Sequence, residues 1–320
     1  MAHRAAKYCL RLFISLTILA LLLWKIGPEA VAVNFTRFKT ASLILLNLTT
    51  LGAFLLSGLG LIVLGRSLNR ALSWLEGMRG FLATASLSIF VPGRLGDLAL
   101  LYYWERFLTR EESLAVVVVD KIVTVSWVGL AGAAGLYAIF GGMATAASAL
   151  CILPALVLAA LFVSGERFPR LIRPTSGGRI AARVHAALAS IALLLSGHRR
   201  AMLTTAAITG VRIFVYGFAF WIGLWGLDVD YPLLYAILAT SLAQLTAILP
   251  ISIMGLGVAE SVCVYAVSRM QVDPGLALTA ILAGRIITIF WMFLFFALFS
   301  LSGLSPRKTS PVRQPPSPET

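Results

Sequence analysis

Seven charged side chains stand inside apolar runs of this chain: Arg94, Asp97, Asp120, Lys121, Arg212, Glu260 and Arg285. A charge at the centre of a bilayer costs about 2.5–3.5 kcal/mol on insertion scales, so each of these needs a partner, water or a ligand. Four are basic and three acidic, which leaves one net positive charge and suits a phosphate-bearing headgroup. The bland reading is structural pairing, with Arg94 and Asp97 at the i, i+3 spacing of a helical ion pair. Asp120 and Lys121 follow about two turns after the start of their run at Leu114, from where a lysine snorkels to the interface. Asp97 and Glu260 are also the kind of carboxylate that serves as a general base. Metal and disulfide chemistry are not indicated. Cys9, Cys151 and Cys263 share no spacing, and His3, His185 and His198 have no Cys or acidic partner at ligand distance along the chain. No metal or other cofactor is expected.

The elements that must hold these charges are membrane helices. Of the 320 residues 59% are hydrophobic and only 12% charged, against about 25% in soluble domains. Runs at 10–26, 41–64, 114–140, 147–164, 201–225, 233–249 and 276–301 are long enough to cross hydrocarbon. The fold class is all-α, a polytopic membrane bundle of about six to eight spans. Residues 1–304 form one transmembrane domain, with a basic loop at 165–200 and a Pro/Ser-rich disordered tail at 305–320. The N-terminal run follows Arg4, Lys7 and Arg11 without a small-residue cleavage site, so it is read as a retained span. The net charge of +13 lies in short loops beside spans, where it sets orientation and meets anionic lipid rather than nucleic acid.

Positive loops place both termini, the loop with Arg66, Arg70 and Arg79, and the arginines of 165–200 in the cytoplasm of a multi-pass cell-membrane protein. The acidic loop 227–232 then lies outside. Within 165–200, Ile180, Val184, Leu188, Ile191 and Leu195 fall at helical spacing beside Arg179 and Arg183. They suggest either a helix on the cytoplasmic interface or a solvated connector.

Parity then makes the segment 81–105 enter and leave on one face. Two half-helices, 81–91 and 95–105, are expected to turn at Pro92 and Gly93, with Gly96 next to the break. The segment 245–270 repeats the device from the other face. Pro250 ends one limb, Gly255 and Gly257 open the turn, and Glu260 follows. Two broken helices entering from opposite faces are the arrangement of an inverted repeat and point to a transport site. Gln244 and Ser252 are read as interhelical hydrogen-bond partners, and Tyr102, Tyr103 and Trp104 as an interfacial anchor.

Four stretches, in this order, carry a resemblance: VPGRLGD (91–97), AVVVVDKIVTV (115–125), LPISIMGLGVAES (249–261) and LAGRIIT (282–288). The chain resembles the flippase-like transmembrane region of lysylphosphatidylglycerol synthases. It departs from the family pattern in having Asp97 for Glu, Asp120-Lys121 for Glu-Arg, and Ile253-Met254-Gly255 for Pro-Gly-Gly. The resemblance implies a lipid translocase that passes a phospholipid, glycolipid or polyprenyl-linked headgroup through a polar seam between the broken helices. The synthases' aminoacyl-transfer domain is not expected here, and the chain is read as no enzyme. A lipid-modifying transferase, or a non-catalytic partner of a lipid-synthesis enzyme, are the other readings. The expected partners are a membrane lipid substrate and anionic lipids at the cytoplasmic face.

Overall fold

The computed structural model describes residues 2–87, 92–141, 145–163, 179–248 and 255–301, with side chains for 13–87, 96–141, 147–160, 185–247 and 255–299. No strand occurs among the described residues. The long apolar helices are α3 (Thr40–Leu68), α6 (Arg110–Phe140), α9 (Arg199–Trp225) and α12 (Pro274–Leu301), four elements that qualify as membrane spans. Upstream, α1 (Ala2–Ile26) and α2 (Pro28–Thr36) meet at a bend of 81° and make a fifth span if counted as one. Gly27 at φ 98° and Pro28 at the first helical position produce that bend. The other elements are shorter: α4 (Trp74–Leu87), α5 (Leu100–Tyr103), α7 (Thr145–Val163), α8 (Arg179–Gly197), α10 (Leu233–Ile248) and α11 (Val258–Ser268). A helix satisfies its own backbone groups, so an apolar chain built of such helices suits a bilayer.

Local signals start the spans. Thr109 and Glu112 close a reciprocal capping box on α6, with the Glu112 amide donating to Thr109 Oγ1 at 3.2 Å and Thr109 N donating to Glu112 Oε2 at 2.8 Å. Asp273 caps α12 by accepting from Gly275 N at 2.8 Å, just ahead of Pro274 at the first helical position.

Glycines bring the spans together. α3 runs antiparallel to α9, so that Gly226 lies against Ser42 near one end and Thr205 donates to the Gly60 carbonyl at 3.2 Å near the other. α6 runs antiparallel to α7, with Gly129 against the Cys151 carbonyl and Ser126 Oγ donating to Pro154 O at 3.1 Å. Two opposed ends result. One gathers Arg66, Arg70, Arg110, Arg199 and Arg200 and is called the basic face. The other gathers Lys39, Asp228, Tyr231 and the start of α12. There Lys39 pairs with Asp228 and its ammonium stands 5.3 Å from the Trp225 ring centre.

The first re-entrant hairpin enters and leaves on the basic face. α4 goes in, a 3-10 helix over Pro92–Ala99 and α5 come back, and Trp104 closes the return against Gly65 and Gly80. A Cβ on Gly80 would stand 2.6 Å from Trp104 Nε1. Two expectations are corrected here. The return limb is 3-10 rather than α, because Gly93 and Gly96 weaken an α-helix and a short 3-10 run suits a tight return. Trp104 is not an interfacial anchor: it is 0% exposed, in a slot two glycines leave open, while Tyr102 next to it is exposed.

The second hairpin belongs to the opposite face. α10 begins there and α11 ends there, where the Tyr231 hydroxyl donates to Met270 Sδ at 3.5 Å. Burial pushes the Tyr231 phenol upward, so it remains a donor. Gly255 at φ 75° lies so close to Ala247 that a Cβ would approach its Cβ to 2.6 Å, and Gly257 takes φ 82°. The segment 245–270 is therefore re-entrant rather than two full spans. Pro250 and Ser252 lie outside the described residues, as do 164–178 of the basic loop and the tail from 302.

α8 is the helix expected in the basic loop, and its C-terminal half packs against protein. Its Leu194 and Leu195 are buried with Ala115, Val116 and Val119 of α6. The apolar stripe at 188–195 is wide enough to bury against protein.

Candidate functional site

The fold places six of the seven singled-out charges in two separate clusters. The seventh, Arg94, has its backbone in the 3-10 helix with Pro92 and Gly93, and its side chain lies outside the described residues. Gly96, in the same helix, is buried.

The first cluster forms where the 3-10 helix meets α6. Lys121 Nζ lies 2.6 Å from Asp97 Oδ2 and 3.4 Å from Asp120 Oδ2. The lysine is thus shared by two carboxylates, the closer one on the re-entrant limb. The bland reading paired Asp97 with Arg94, whose side chain lies outside the described residues; the partner described for Asp97 is Lys121, presented across the helix contact. Asp97 and Lys121 keep side-chain exposures of 16% and 36%, whereas Asp120 is 1% exposed. Asp120 Oδ1 has no hydrogen-bond partner among the described residues. A buried acceptor left so costs about 1–3 kcal/mol, which the fold must offset elsewhere.

Asp120 Oδ1 points toward Gly60 of α3, 3.7 Å from the place a Cβ there would take. One turn further along α6, Thr124 Oγ1 donates to the Asp120 carbonyl at 2.8 Å and accepts from Arg212 Nη2 of α9 at 2.6 Å. Arg212 is 7% exposed. Its bond to Thr124 is its single polar contact among the described residues, and it has no counter-ion there. A guanidinium carries five N–H donors in a planar fork, so most of this one's donor capacity is uncommitted. α6 and α9 start at the same face, and Arg212 is the fourteenth residue of α9. That puts it roughly 20 Å into the span at 1.5 Å per residue.

The polar residues around Arg212 form a seam. Thr205, Thr209 and Arg212 recur at i, i+4 and i+7 on α9, all buried; Arg212 reaches Thr124 of α6, and Thr205 bonds the Gly60 carbonyl of α3 beside Asp120. Sequence reasoning found Arg212 but missed Thr124, Thr205, Thr209 and Gly60. The helical spacing of the two threonines ahead of Arg212 is the signal that identifies them.

The second cluster locks the second hairpin. Glu260 is 0% exposed and both its oxygens are engaged. Oε1 accepts from Arg285 Nε at 2.8 Å and from Nη2 at 2.5 Å, and Oε2 accepts from Gly257 N at 2.7 Å. The carboxylate therefore caps the N-terminus of α11 where the chain turns and ties it to α12. Gly257 itself abuts α1, a Cβ there coming within 2.9 Å of the Ser15 carbonyl. Gln244 is half-buried.

The two clusters differ chemically. Glu260 and Arg285 form a closed pair, whereas Asp97, Lys121, Asp120 and Arg212 leave one carboxylate oxygen and most of one guanidinium open. That arrangement suits the reversible holding of an anion in a polar seam.

A comparison with curated proteins gives no match. A comparison with family models matches residues 8–297 to the lysylphosphatidylglycerol synthase TM region, a stretch that contains both re-entrant hairpins and both charge clusters. With the match extending over nearly the whole membrane bundle, the chain belongs to the lysylphosphatidylglycerol synthase TM region family.

Proposed function

We propose that the chain is a lipid translocase of the cell membrane that moves a phosphate-bearing headgroup along the seam between α3, α6 and α9 while the acyl or polyprenyl chains stay in the bilayer. The observation that carries this is Arg212: a cation buried deep in a span, with no counter-ion among the described residues and with donors to spare. Such a group is costly unless a ligand answers it. Asp97, Lys121 and the neighbouring Arg94 form the entrance at the basic face, which is cytoplasmic by the positive-inside rule, and its arginines hold anionic lipid. Arg285 is a second cation on the route, at the hairpin from the other face. The conformational residues Pro92, Gly93 and Gly96 give the first hairpin its break, and Gly255 and Gly257 the second; Pro250 keeps the role read from the sequence and lies outside the described residues.

A transferase that uses Glu260 as base fits less well, because both of its oxygens are already committed. Asp97 is likewise held by Lys121. A lipid-synthesis enzyme is the natural partner, supplying or consuming the translocated lipid. Proteoliposomes loaded with short-chain fluorescent phosphatidylglycerol test the reading. Arg212→Gln keeps a donor for Thr124 but removes a charge-assisted contact of about 1.5–3 kcal/mol, so the rate should fall roughly ten- to hundredfold at normal membrane yield. A wild-type rate in Arg212→Gln overturns it.

A further inference from the structure

Asp120 is the group that the headgroup path does not use. It is 1% exposed, its Oδ2 is 3.4 Å from a lysine already held at 2.6 Å by Asp97, and its Oδ1 is without a partner among the described residues. We infer that Asp120 is a proton-binding site coupled to anion binding at Arg212, so that an anionic headgroup and a proton enter the seam together. The inference rests on the reading of Arg212 as the headgroup contact.

The argument is one of charge and place. Among the described side chains, the charged groups presented to this region are Lys121 on the same helix, Asp97 from the 3-10 helix and Arg212 from α9. From α3 comes Gly60, and from α9 also the neutral Thr205 and Thr209. Other basic side chains are engaged elsewhere: Arg66 of α3 bonds the Leu72 carbonyl, and the His198 ring beyond α8 faces the Leu193 carbonyl. Two carboxylates, one lysine and one arginine sum to zero.

An anion arriving at Arg212 makes the seam negative at membrane depth, where uncompensated charge is disfavoured. One proton on Asp120 restores neutrality, and the Oδ1 oxygen is open to receive it. Thr124 connects the two points physically, since its hydroxyl accepts from Arg212 and donates to the Asp120 carbonyl. The part-exposed Lys121 and Asp97 form the wet end by which a proton reaches the carboxylate. A metal cation fits the place less well, since hard cations take about six oxygen ligands and only one free carboxylate oxygen is aimed there.

Coupling of this kind is reciprocal. If one proton is taken up per anion, affinity for the anion should rise as pH falls, by up to about tenfold per pH unit. The test uses purified full-length protein in weakly buffered detergent with a pH-indicator dye. Dihexanoyl phosphatidylglycerol and inorganic phosphate are added separately, in choline and in sodium salts. Wild type should bind and take up close to one proton per anion bound in choline salt. Uptake with the lipid alone assigns the coupling to a headgroup, and uptake with both assigns it to phosphate in general. Asp120→Asn should bind without proton uptake and with a flat pH dependence, and Arg212→Gln should do neither. Binding by wild type without proton uptake, or with a strict need for sodium, overturns the proton site and leaves the Arg212 reading standing. No binding of either probe overturns both.

Discussion

At the scale of single residues, the two charge clusters should respond oppositely to neutralisation. Glu260 links Gly257 N–H to Arg285, so Arg285→Met strands a buried carboxylate and should cost about 3–5 kcal/mol. Glu260→Gln keeps an acceptor for the Gly257 amide and removes the stranded charge. The double variant should therefore regain wild-type membrane yield and thermal stability in detergent. Transport by the double variant should stay below about a tenth of wild type, as expected when a charge-assisted ligand contact is lost; full recovery would make the pair scaffold only. The placement of these side chains within helices was legible from the apolar runs around them. Their partners were not, because Thr124 and Arg212 are 88 positions apart and Asp97 reaches across to Lys121 on another helix. Pairing of that sort follows from helix packing, which a hydropathy pattern does not encode.

At the scale of elements, glycines decide where helices may touch. A Cβ on Gly217 would lie 2.4 Å from Ile237 Cα, a backbone atom that cannot step aside, whereas Gly52 has nothing within 4 Å. Gly217→Ala should destabilise the α9–α10 contact by about 1–3 kcal/mol, the usual range for overpacking. Gly52→Ala should be neutral or stabilising by up to about 1 kcal/mol, since alanine is the better helix former. Thermal unfolding in one detergent compares the two. Pro92-Gly93 announced the first hairpin and Gly255 with Gly257 the second, because breakers inside apolar runs leave few alternatives. The slot for Trp104 was hidden, since Gly65, Gly80 and Trp104 come from three separate segments and read individually as ordinary residues. The Gly27–Pro28 bend was visible as a dipeptide, but the run before it was long enough to pass for a whole span.

At the scale of the molecule, the opposed hairpins fix a topology that labelling can check. In a background with Cys9, Cys151 and Cys263 changed to Ala, a cysteine at the exposed Asp230 should react with an impermeant thiol reagent added outside cells. One at the exposed Arg70 should react only after the membrane is opened. The reverse pattern would invert the orientation. Between the two hairpins stands α12. It packs against α4 of the first hairpin, and through Arg285 it grips the turn of the second, while also leaning on α2, α3 and α9. Both hairpins thus rest on one helix. If the chain is the translocase proposed above, a tilt of α12 that loosened it from one hairpin would press it toward the other, and the two ends of the path would open in turn rather than together, which would keep a polar pathway through the bilayer from becoming a leak.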